Sequence, residues 1–398
     1  MQRTIKEGPR EGVLSLPPSK SIAHRKILLA ALTPGGGEVH LREIAKDIAS
    51  TLELVQALGG TITDAEKNGL HHIKIGPIPK KIDRPVHIHV EESATTLRIA
   101  LVLAPCLAKT VTFTAGPQLK TRPVEEGIRF LREKGVKTTD PWPIKTEGRL
   151  TFAEAVIDAS RTGQFISGAL LAALTQERPV IVTAKNPVSR PYIHLTAEMI
   201  RQAGAFVAEQ GDTTILRQGS LHALRPEVEG DYSHAAALIV ANEMGSAVRL
   251  QGLHPHSLQG DRKIYDHIAR LKKKRPVDLA DTPDLLMPLA VFATKTGGVF
   301  TGTGRLRVKE SDRVAATAAM LKNLGIETQV GEDTFSVAPG CMKGAEVHTF
   351  GDHRIAFAAF AAATAATGPV TVQGAEAVDK SWPGFFREIN ALQRKKDR

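Results

Sequence analysis

Runs of small apolar residues recur along the chain, and each follows a short polar segment. Six such runs begin about 50–75 residues apart. Their apolar positions are nearly continuous and rich in alanine, which is typical of helices buried on all sides and packed closely against a sheet. The six segments are "SKSIAHRKILLAAL" from Ser19, "ESATTLRIALVLA" from Glu92, "RTGQFISGALLAAL" from Arg161, "GDYSHAAALIVAN" from Gly230, "DTPDLLMPLAVFA" from Asp281 and "GDHRIAFAAFAAA" from Gly351.

Strand-like sequence follows these helices, as in "RPVIVTA" and "GPVTVQG", and a second, amphipathic helix comes next. Four of the second helices end at a glycine, the residue preferred just past a helix C-terminus: "TLELVQALGG", "GIRFLREKGV", "AEMIRQAGA" and "AAMLKNLGI". The pattern therefore predicts six copies of one α+β unit, with sheets layered against helices. An ordinary α/β protein whose alanine-rich helices recur by coincidence stays open as the alternative.

Composition narrows the class of protein. The chain has 398 residues, 42% of them hydrophobic, so it is long enough for more than one domain. Its two cysteines, Cys106 and Cys341, predict neither a disulfide framework nor a cysteine metal site. The polar start lacks the apolar region of a signal peptide, and the apolar run from Ile355 is too short to span a bilayer. We expect a soluble, cytoplasmic protein.

The net charge of +10 predicts an anionic partner. Two basic runs, "LKKKR" (271–275) and "QRKKDR" (393–398), are interpreted as solvated helix ends or a frayed tail. Aromatic residues do not alternate with the basic ones, as a surface that stacks nucleic-acid bases would require. Small anionic molecules are therefore the expected partners, rather than nucleic acid or a membrane.

Arginines recur where the predicted helices begin. A helix N-terminus carries partial positive charge and normally disfavours cations. It also offers free N–H groups to anions, and arginine adds bidentate recognition of carboxylate and phosphate. Five arginines at such positions predict a polyanion site, with unrelated surface arginines as the alternative: Arg25, Arg98, Arg122, Arg313 and Arg354.

Acid–base candidates stand near two of these helix starts. In "RVKESDR", Glu310 lies between Lys309 and Arg313, and a bound phosphate would neutralise those cations, which suits a group that gives and takes a proton. Asp284 is either a helix cap or a functional carboxylate. His24 and His353 lack metal-ligand spacing, and no Walker A sequence occurs, so no metal and no cofactor are predicted.

Ten motifs also occur in a family-specific order and spacing: "PPSKSIAHR", "ATTLR", "TRP", "GQF", "SRPYI", "GDYS", "PD", "VKESDR", "GDHR" and "KSWPGFF". Over nearly its whole length the chain resembles the 5-enolpyruvylshikimate-3-phosphate synthase family of the shikimate pathway. The resemblance implies an α/β fold of two domains, each an inside-out α/β barrel of three repeated α+β units. Residues 1–18 with 232–398 would form the phosphoenolpyruvate side and 19–231 the shikimate 3-phosphate side, with the active site in the cleft between them.

The resemblance also implies the chemistry. The enolpyruvyl group of phosphoenolpyruvate would pass to the 5-hydroxyl of shikimate 3-phosphate by addition and elimination, in a monomer. Asp284 would take the hydroxyl proton, Glu310 would handle the proton at C3, Lys20 and Lys309 would assist, and His353 would orient its neighbours. The phosphoenolpyruvate residues would be Lys20, Arg122, Arg313, Arg354 and Lys380. The remaining substrate-binding residues would be Ser21, Arg25, Ala94, Thr95, Thr162, Gln164, Ser189 and Tyr192.

Several positions depart from the family pattern. Glu92-Ser93-Ala94 replaces Asn-Ala/Ser-Gly, and Ile99, Gly163, Arg305 and His24 replace Pro, Ser, Asn and Asn. Glu92 is therefore not expected to contact substrate, Arg305 is expected to offer a different phosphate contact, and His24 has no assigned role. The methyl group of Ala94 is expected to narrow the phosphoenolpyruvate pocket and weaken inhibition by glyphosate.

Three rival functions stay open. A UDP-N-acetylglucosamine enolpyruvyl transferase would share the fold but carries a cysteine on the loop that here reads "GPQLKTRPVEE". A relative of RNA 3′-phosphate cyclase would need a nucleotide site. A catalytically impaired relative is the third, because of the substitutions at Glu92, Gly163 and Arg305.

Overall fold

The computed structural model describes residues 1–140 and 142–395. The chain folds into two compact units, one formed by Pro18–Val228 and the other by Met1–Pro17 together with the chain from Glu229 onward. Residues 396–398 of the predicted basic tail lie outside the described part of the chain.

Strands and helices alternate along the chain. The strands are β1 Gln2–Ile5, β2 Arg10–Ser15, β3 Gly37–Leu41, β4 Ile62–Lys67, β5 Leu70–Ile75, β6 Val86–His89, β7 Thr110–Thr114, β8 Lys137–Thr138, β9 Ile144–Glu147, β10 Glu154–Asp158, β11 Val180–Lys185, β12 Phe206–Gln210, β13 Thr213–Arg217, β14 Ala247–Gln251, β15 Val277–Asp278, β16 Gly298–Thr301, β17 Thr328–Val330, β18 Thr334–Val337, β19 Ala345–His348, β20 Val370–Gln373 and β21 Gln393–Arg394. The α-helices are α1 Lys20–Leu32, α2 Lys46–Ala57, α3 Ala94–Leu107, α4 Glu125–Glu133, α5 Gln164–Ala173, α6 Arg190–Gln202, α7 Tyr232–Glu243, α8 Ile264–Lys272, α9 Leu286–Thr296, α10 Arg313–Asn323, α11 His353–Ala365 and α12 Phe385–Ala391. Short 3₁₀ helices cover Leu119–Thr121, Gly260–Lys263, Pro283–Leu285, Gly304–Val308 and Ala375–Lys380.

The strands form six sheets, three in each unit. Three sheets have four strands in one common order, namely β6-β7-β9-β8, β10-β11-β13-β12 and β15-β16-β18-β17. In each of them a buried helix joins two parallel strands, and a second helix leads into an antiparallel hairpin. The other three sheets have three strands, in the orders β3-β5-β4, β14-β2-β21 and β1-β20-β19. The predicted α/β fold of repeated units is confirmed, although no sheet of the described residues closes on itself as a barrel.

The alanine-rich helices lie inside these units. Every residue of α11 from His353 to Thr364 is buried, and in α3 every residue except Thr95 is buried. Alanine at so many positions allows these helices to approach one another closely, as α3 does with α5 and α7 does with α11. Each unit therefore has a separate hydrophobic core. No helix in the described part of the chain is long and apolar enough to cross a bilayer.

Carboxylates and a hydroxyl cap the polar ends of several helices. The side chains of Ser93, Asp231, Asp312 and Asp352 accept backbone N–H hydrogen bonds at the starts of α3, α7, α10 and α11. An acidic cap satisfies a free N–H group and offsets the positive helix end. The caps at Asp312 and Asp352 therefore offset part of the cost of placing Arg313 and Arg354 in the first turns of these helices.

Candidate active site

Arg25 lies in the second turn of α1, and its guanidinium is 2% exposed. It donates hydrogen bonds to the Thr196 and Ser167 hydroxyls and to the Ser21 and Tyr192 carbonyls, at 2.7–3.1 Å. Burial lowers the pKa of Arg25 to about 10. No described carboxylate pairs with it, so this buried cation lacks a counter-charge within its unit and suits an anion.

Gln164 is held between α3 and α5. Its amide nitrogen donates to the Thr95 hydroxyl at 2.8 Å, and its amide oxygen accepts from Arg98 at 2.8 Å. Arg98 also donates to the Pro123 carbonyl at 2.9 Å, which ties the segment after Arg122 to α3. Arg98 was singled out by its position at a helix start, and the structure shows that it supports two predicted substrate-binding positions.

Arg122 is buried but does not begin a helix. It follows the 3₁₀ turn Leu119–Thr121 in an extended conformation, φ −88° and ψ 145°, and α4 starts at Glu125. The helix expected to begin at Pro123, directly after Arg122, therefore begins two residues later than predicted. The extended conformation of Arg122 itself is usual for a residue that precedes proline.

Four other predicted residues of this unit lie at or just before the starts of α1, α3, α5 and α6. Lys20 begins α1 and pairs with Asp47 of α2 at 2.7 Å. The Thr162 hydroxyl accepts from the backbone N–H of Gln164 at 3.3 Å. Ser189, the residue before α6, has a left-handed backbone conformation with φ of 57°. This conformation is strained for serine, and strained residues often occur at functional sites. Ala94 is buried at the first position of α3.

His24, which sequence reasoning left without a role, joins three helices. Its Nδ1 is hydrogen-bonded to the Thr51 hydroxyl at 2.6 Å, and Thr51 shares a 2.7 Å hydrogen bond with Thr96. Thr96 in turn is hydrogen-bonded to Ser93 at 2.7 Å. Burial, with a smaller contribution from Lys20 and Arg25, lowers the pKa of His24 to about 3, so the ring is neutral at pH 7. These hydrogen bonds therefore link α1 and α2 to the start of α3.

Two of the departures from the family pattern have local explanations. Glu92 accepts a hydrogen bond from the backbone N–H of Gln118 at 3.1 Å, so it fastens the loop that precedes Arg122. A Cβ at Gly163 would lie 3.0 Å from the Ile193 side chain and 3.2 Å from the Val188 carbonyl, which leaves little room for serine.

In the other unit, Arg313 gathers three carboxylates. Its Nε donates to Asp352 at 2.8 Å, one terminal nitrogen donates to Glu310 at 2.8 Å, and the other pairs with Asp284. Arg354 donates to the second oxygen of Asp284 at 2.7 Å. We call these five residues the arginine–carboxylate cluster. Asp284 does not cap α9, whose N-cap residue is Leu285.

Charge pairing dominates the ionisation of this cluster. Burial alone would raise the pKa of Asp284, but Arg354 and Arg313 outweigh it and hold that pKa well below its usual range. Burial would likewise lower the pKa of Arg313, yet the charges of Asp352, Glu310 and Asp284 raise it well above the ordinary value. Asp284 is therefore ionised when no substrate is present, as a proton acceptor must be.

Lysines and histidines border the cluster. Lys380 ends a 3₁₀ helix with its ammonium 3.9 Å from Glu310. Lys309 directly follows the 3₁₀ helix Gly304–Val308. His353 is buried at the first position of α11, with its ring 5.6 Å from Phe357 and 6.3 Å from the ring of His234. Arg305 donates to the Ala280 carbonyl, close in sequence to Asp284.

Asp261 is a buried carboxylate that sequence reasoning missed. It accepts a hydrogen bond from the Ser233 hydroxyl. Burial and the nearby charge of Asp284 raise the pKa of Asp261 to about 7. The motif "QGD" contains no signal of this environment, because the pKa depends on residues more than twenty positions away.

Comparison with known proteins agrees with this architecture. The family model of EPSP synthase (3-phosphoshikimate 1-carboxyvinyltransferase) matches residues 5–389. A 3-phosphoshikimate 1-carboxyvinyltransferase of Thermococcus kodakarensis is 32% identical over 96% of this chain and 97% of its own length. Another, from Methanoculleus marisnigri, is 33% identical over 97% of this chain and 98% of its own.

Solved structures share the fold. An EPSP synthase from Acinetobacter baumannii superposes with a TM-score of 0.78 at 24% identity, covering 99% of this chain and 98% of the other. Sequence match and fold lead to the same conclusion: the chain belongs to the EPSP synthase (3-phosphoshikimate 1-carboxyvinyltransferase) family.

Proposed function

We propose that the protein transfers the enolpyruvyl group of phosphoenolpyruvate to the 5-hydroxyl of shikimate 3-phosphate and releases phosphate. Family membership supports the overall reaction. The observation that carries the assignment of roles is the arginine–carboxylate cluster, because Arg313 holds both predicted proton-transfer groups, Asp284 and Glu310, in one buried place.

Shikimate 3-phosphate is assigned to the unit Pro18–Val228. Arg25 is a buried cation surrounded by neutral groups, and the substrate's carboxylate would supply the missing charge. The hydroxyl and amide groups at the surrounding helix starts would bind the substrate's phosphate and hydroxyls, namely Ser21, Thr95, Thr162, Gln164, Ser189 and Tyr192. Ala94 would border the bound substrates at the start of α3.

Phosphoenolpyruvate is assigned to Lys20, Arg122, Arg313, Arg354 and Lys380. In the free protein Arg313 and Arg354 are engaged by Asp284. An anion that binds these guanidiniums competes with the aspartate and weakens their hold on it, which raises the pKa of Asp284 toward its usual value. Substrate binding would therefore increase the basicity of the carboxylate when a base is needed.

The reaction then proceeds in two stages. In the addition, Asp284 takes the 5-hydroxyl proton, the oxygen attacks C2 of phosphoenolpyruvate, and Glu310 donates a proton to C3. In the elimination, Glu310 removes a proton from the new methyl group, the C2–O bond to phosphate breaks, and Asp284 returns its proton to the departing phosphate. Lys20 and Lys309 would stabilise the developing negative charge, and His353 would keep its neighbours oriented.

The cleft expected between the two sets of residues stays a prediction. Arg305 does not add a free phosphate-binding group in the described structure, because it donates to the Ala280 carbonyl. A phosphate contact from Arg305 would require that hydrogen bond to be exchanged when substrate binds.

Phosphate release from phosphoenolpyruvate tests the proposal, with shikimate 3-phosphate and UDP-N-acetylglucosamine supplied as alternative acceptors. Release is expected when shikimate 3-phosphate is the acceptor and not when UDP-N-acetylglucosamine is. Release with only the sugar nucleotide would refute the choice of acceptor, and release with neither would indicate an impaired enzyme.

The sugar-nucleotide reaction is not favoured. Its cysteine-bearing loop corresponds to Gly116–Glu126, which contains no cysteine. Cys106 lies inside α3, and burial raises the pKa of its thiol to about 12, so it is not a nucleophile. Cys341 is exposed and far along the chain.

We also propose a monomeric, cytoplasmic enzyme. Each unit buries its own core, and the two cysteines are free thiols, as is usual in a reducing compartment. Light scattering of the purified chain at micromolar concentration would test the monomer, with a mass of 42.8 kDa expected.

A further inference from the structure

Two histidines and a glutamate meet on the face of β3 and β5 that points away from the core. The antiparallel register places His40 directly opposite His72. Glu38 stands two residues before His40, so its side chain leaves the same face of β3. Their neighbours Val39, Leu41 and Ile73 point the other way and are buried, so the sheet backbone fixes the positions of the three polar side chains.

The candidate ligand atoms already converge. One oxygen of Glu38 lies 2.8 Å from Nε2 of His40 and 3.2 Å from Nδ1 of His72. The imidazole rings are 4.0 Å apart, centre to centre. In a tetrahedral Zn²⁺ site with bonds of about 2.0–2.1 Å, neighbouring ligand atoms are separated by about 3.3 Å. Both oxygen–nitrogen distances are close to that value, and all three ligand atoms lie within 4.8 Å of one another, so side-chain rotation would let one cation replace the imidazole protons between them.

We propose that Glu38, His40 and His72 bind one divalent cation of the late first transition series, with Zn²⁺ as the probe. Two imidazole nitrogens and one carboxylate oxygen suit Zn²⁺, Co²⁺ or Ni²⁺, whereas Mg²⁺ and Ca²⁺ prefer oxygen ligands alone. Among residues 1–140 and 142–395 this is the one group of three such side chains whose ligand atoms lie within 4.8 Å of one another.

The surroundings favour a fixed site. The side chains of His40 and His72 are 19% and 24% exposed, so solvent can complete the coordination from one side. The segment that crosses β3 is anchored by the His40 backbone N–H, which donates to the Pro226 carbonyl at 2.8 Å. Lys74 lies opposite Glu38 in the β3–β5 pair, and its positive charge would disfavour a bound cation. Lys74 is exposed, however, and its long side chain can turn toward solvent.

The site is separate from the proposed chemistry. None of its ligands belongs to the candidate active site, and its cation would cross-link β3 with β5. A ligand that binds the folded form alone stabilises it by mass action. The proposal therefore predicts metal-dependent stability rather than metal-dependent turnover, and its failure would leave the proposed reaction untouched.

Metal titration of the full, untagged chain tests the site. Zn²⁺ is titrated against a chromophoric chelator after prior metal removal, and Mg²⁺ serves as the comparison cation. One Zn²⁺ per chain is expected, together with a rise in melting temperature that Mg²⁺ does not give. His40→Ala and His72→Ala should each weaken binding at least about tenfold and abolish that rise.

His71→Ala is the matched control. His71 lies next to His72 but on the opposite face of the strand, where it pairs with Asp64 at 2.8 Å. This variant should bind Zn²⁺ within about twofold of the wild type. Cobalt gives a second readout, since a histidine–carboxylate site produces visible absorption that should vanish with His72→Ala and persist with His71→Ala. Stoichiometric binding that survives the loss of His72, or no binding at all, would overturn the proposal.

Discussion

Asp284 and Glu310 both pair with one buried guanidinium, that of Arg313. A group that shuttles a proton must be neither free to rotate nor permanently locked in an ion pair. The shared arginine meets both needs, because a bound anion competes for it. The sequence selected these two carboxylates as candidates, and under the proposed mechanism their common partner lets substrate binding change the basicity of Asp284.

Replacing either carboxylate by its amide should therefore abolish turnover with little loss of fold. Asp284→Asn and Glu310→Gln are each expected to lower kcat at least about 100-fold, the usual contribution of a positioned acid or base. Steady-state phosphate release is the measurement. Glu327→Gln, an exposed carboxylate of the same unit, is the control and should leave kcat unchanged. Near-normal turnover in both active-site variants would show that the proton-transfer roles are wrong.

His24 gives the protein a specific acid sensitivity. Its pKa is about 3 in the folded state, against about 6.5 when exposed. As the pH falls below 6.5, the unfolded chain takes up a proton at this histidine and the folded chain does not. The free energy of unfolding therefore decreases by about 1.4 kcal/mol per pH unit until the pH reaches about 3.

His24→Asn removes this titration, so its unfolding free energy should fall less steeply than that of the wild type between pH 7 and pH 5. Urea unfolding at several pH values measures the difference, which should reach about 2 kcal/mol at pH 5. The control is His87→Asn, which makes the same substitution at an exposed histidine of the same unit. Parallel pH profiles for wild type and His24→Asn would contradict the buried, neutral assignment.

Ala94 carries the prediction about glyphosate. The residue is buried at the first position of α3, where the family usually has glycine. Removing its methyl group should relieve a contact with the longer inhibitor, and one methyl group in a pocket is worth about 1–3 kcal/mol. Ala94→Gly is therefore expected to lower the glyphosate inhibition constant about tenfold.

Inhibition measured in competition with phosphoenolpyruvate tests this expectation. Ala108→Gly, at the opposite end of α3, controls for a general loosening of the helix and should not change inhibition. Tight inhibition of the unaltered protein would show that the Ala94 methyl group does not narrow the pocket.

At the scale of elements, Arg98 couples two helices of the fold. It connects α3 with Gln164 at the start of α5 and with the Pro123 carbonyl. The side chain is 2% exposed, so it supports those groups from within. We therefore propose that Arg98 is a positioning residue, which acts on substrate through Gln164 and Arg122.

Arg98→Lys keeps the charge but loses the fork that reaches both partners. We expect KM for shikimate 3-phosphate to rise about tenfold while kcat changes less. Gln164→Ala should raise KM similarly. The loss of binding free energy in the double variant should be smaller than the sum of the two single losses, as is usual for residues in contact. Arg149→Lys is the control, because Arg149 donates to the Cys106 carbonyl near the C-terminal end of α3, away from Gln164. Fully additive effects would argue against the coupling.

At the scale of the whole molecule, the proposed function assigns shikimate 3-phosphate to the unit Pro18–Val228. Shikimate 3-phosphate alone should slow amide hydrogen exchange at the starts of α1, α5 and α6. It should leave α10 and α11 nearly unchanged. At a ligand concentration of about 100 Kd the slowing can reach about 100-fold where exchange needs unfolding of the unit. Protection confined to α10 and α11 would reverse the assignment of substrate to unit.

The repeat was readable because it is local. Apolar density, alanine content and terminal glycines are properties of short windows, and they predicted the buried helices and the α/β class correctly. Arg122 shows the limit even locally, since the helix expected directly after it begins only at Glu125. Charged residues near predicted helix starts supplied part of the candidate site, and the resemblance, carried by ten short motifs, supplied the rest.

Sequence alone thus determined the repeated architecture and the family, and it supplied the candidate site residues. Tertiary structure decided which groups share a partner. The pairing of Asp284 with Arg313 and Arg354, the raised pKa of Asp261, the burial of His24 and the meeting of Glu38 with His40 and His72 all depend on contacts between distant segments. Charge and coordination act over a few ångströms in space, and sequence spacing does not encode those distances.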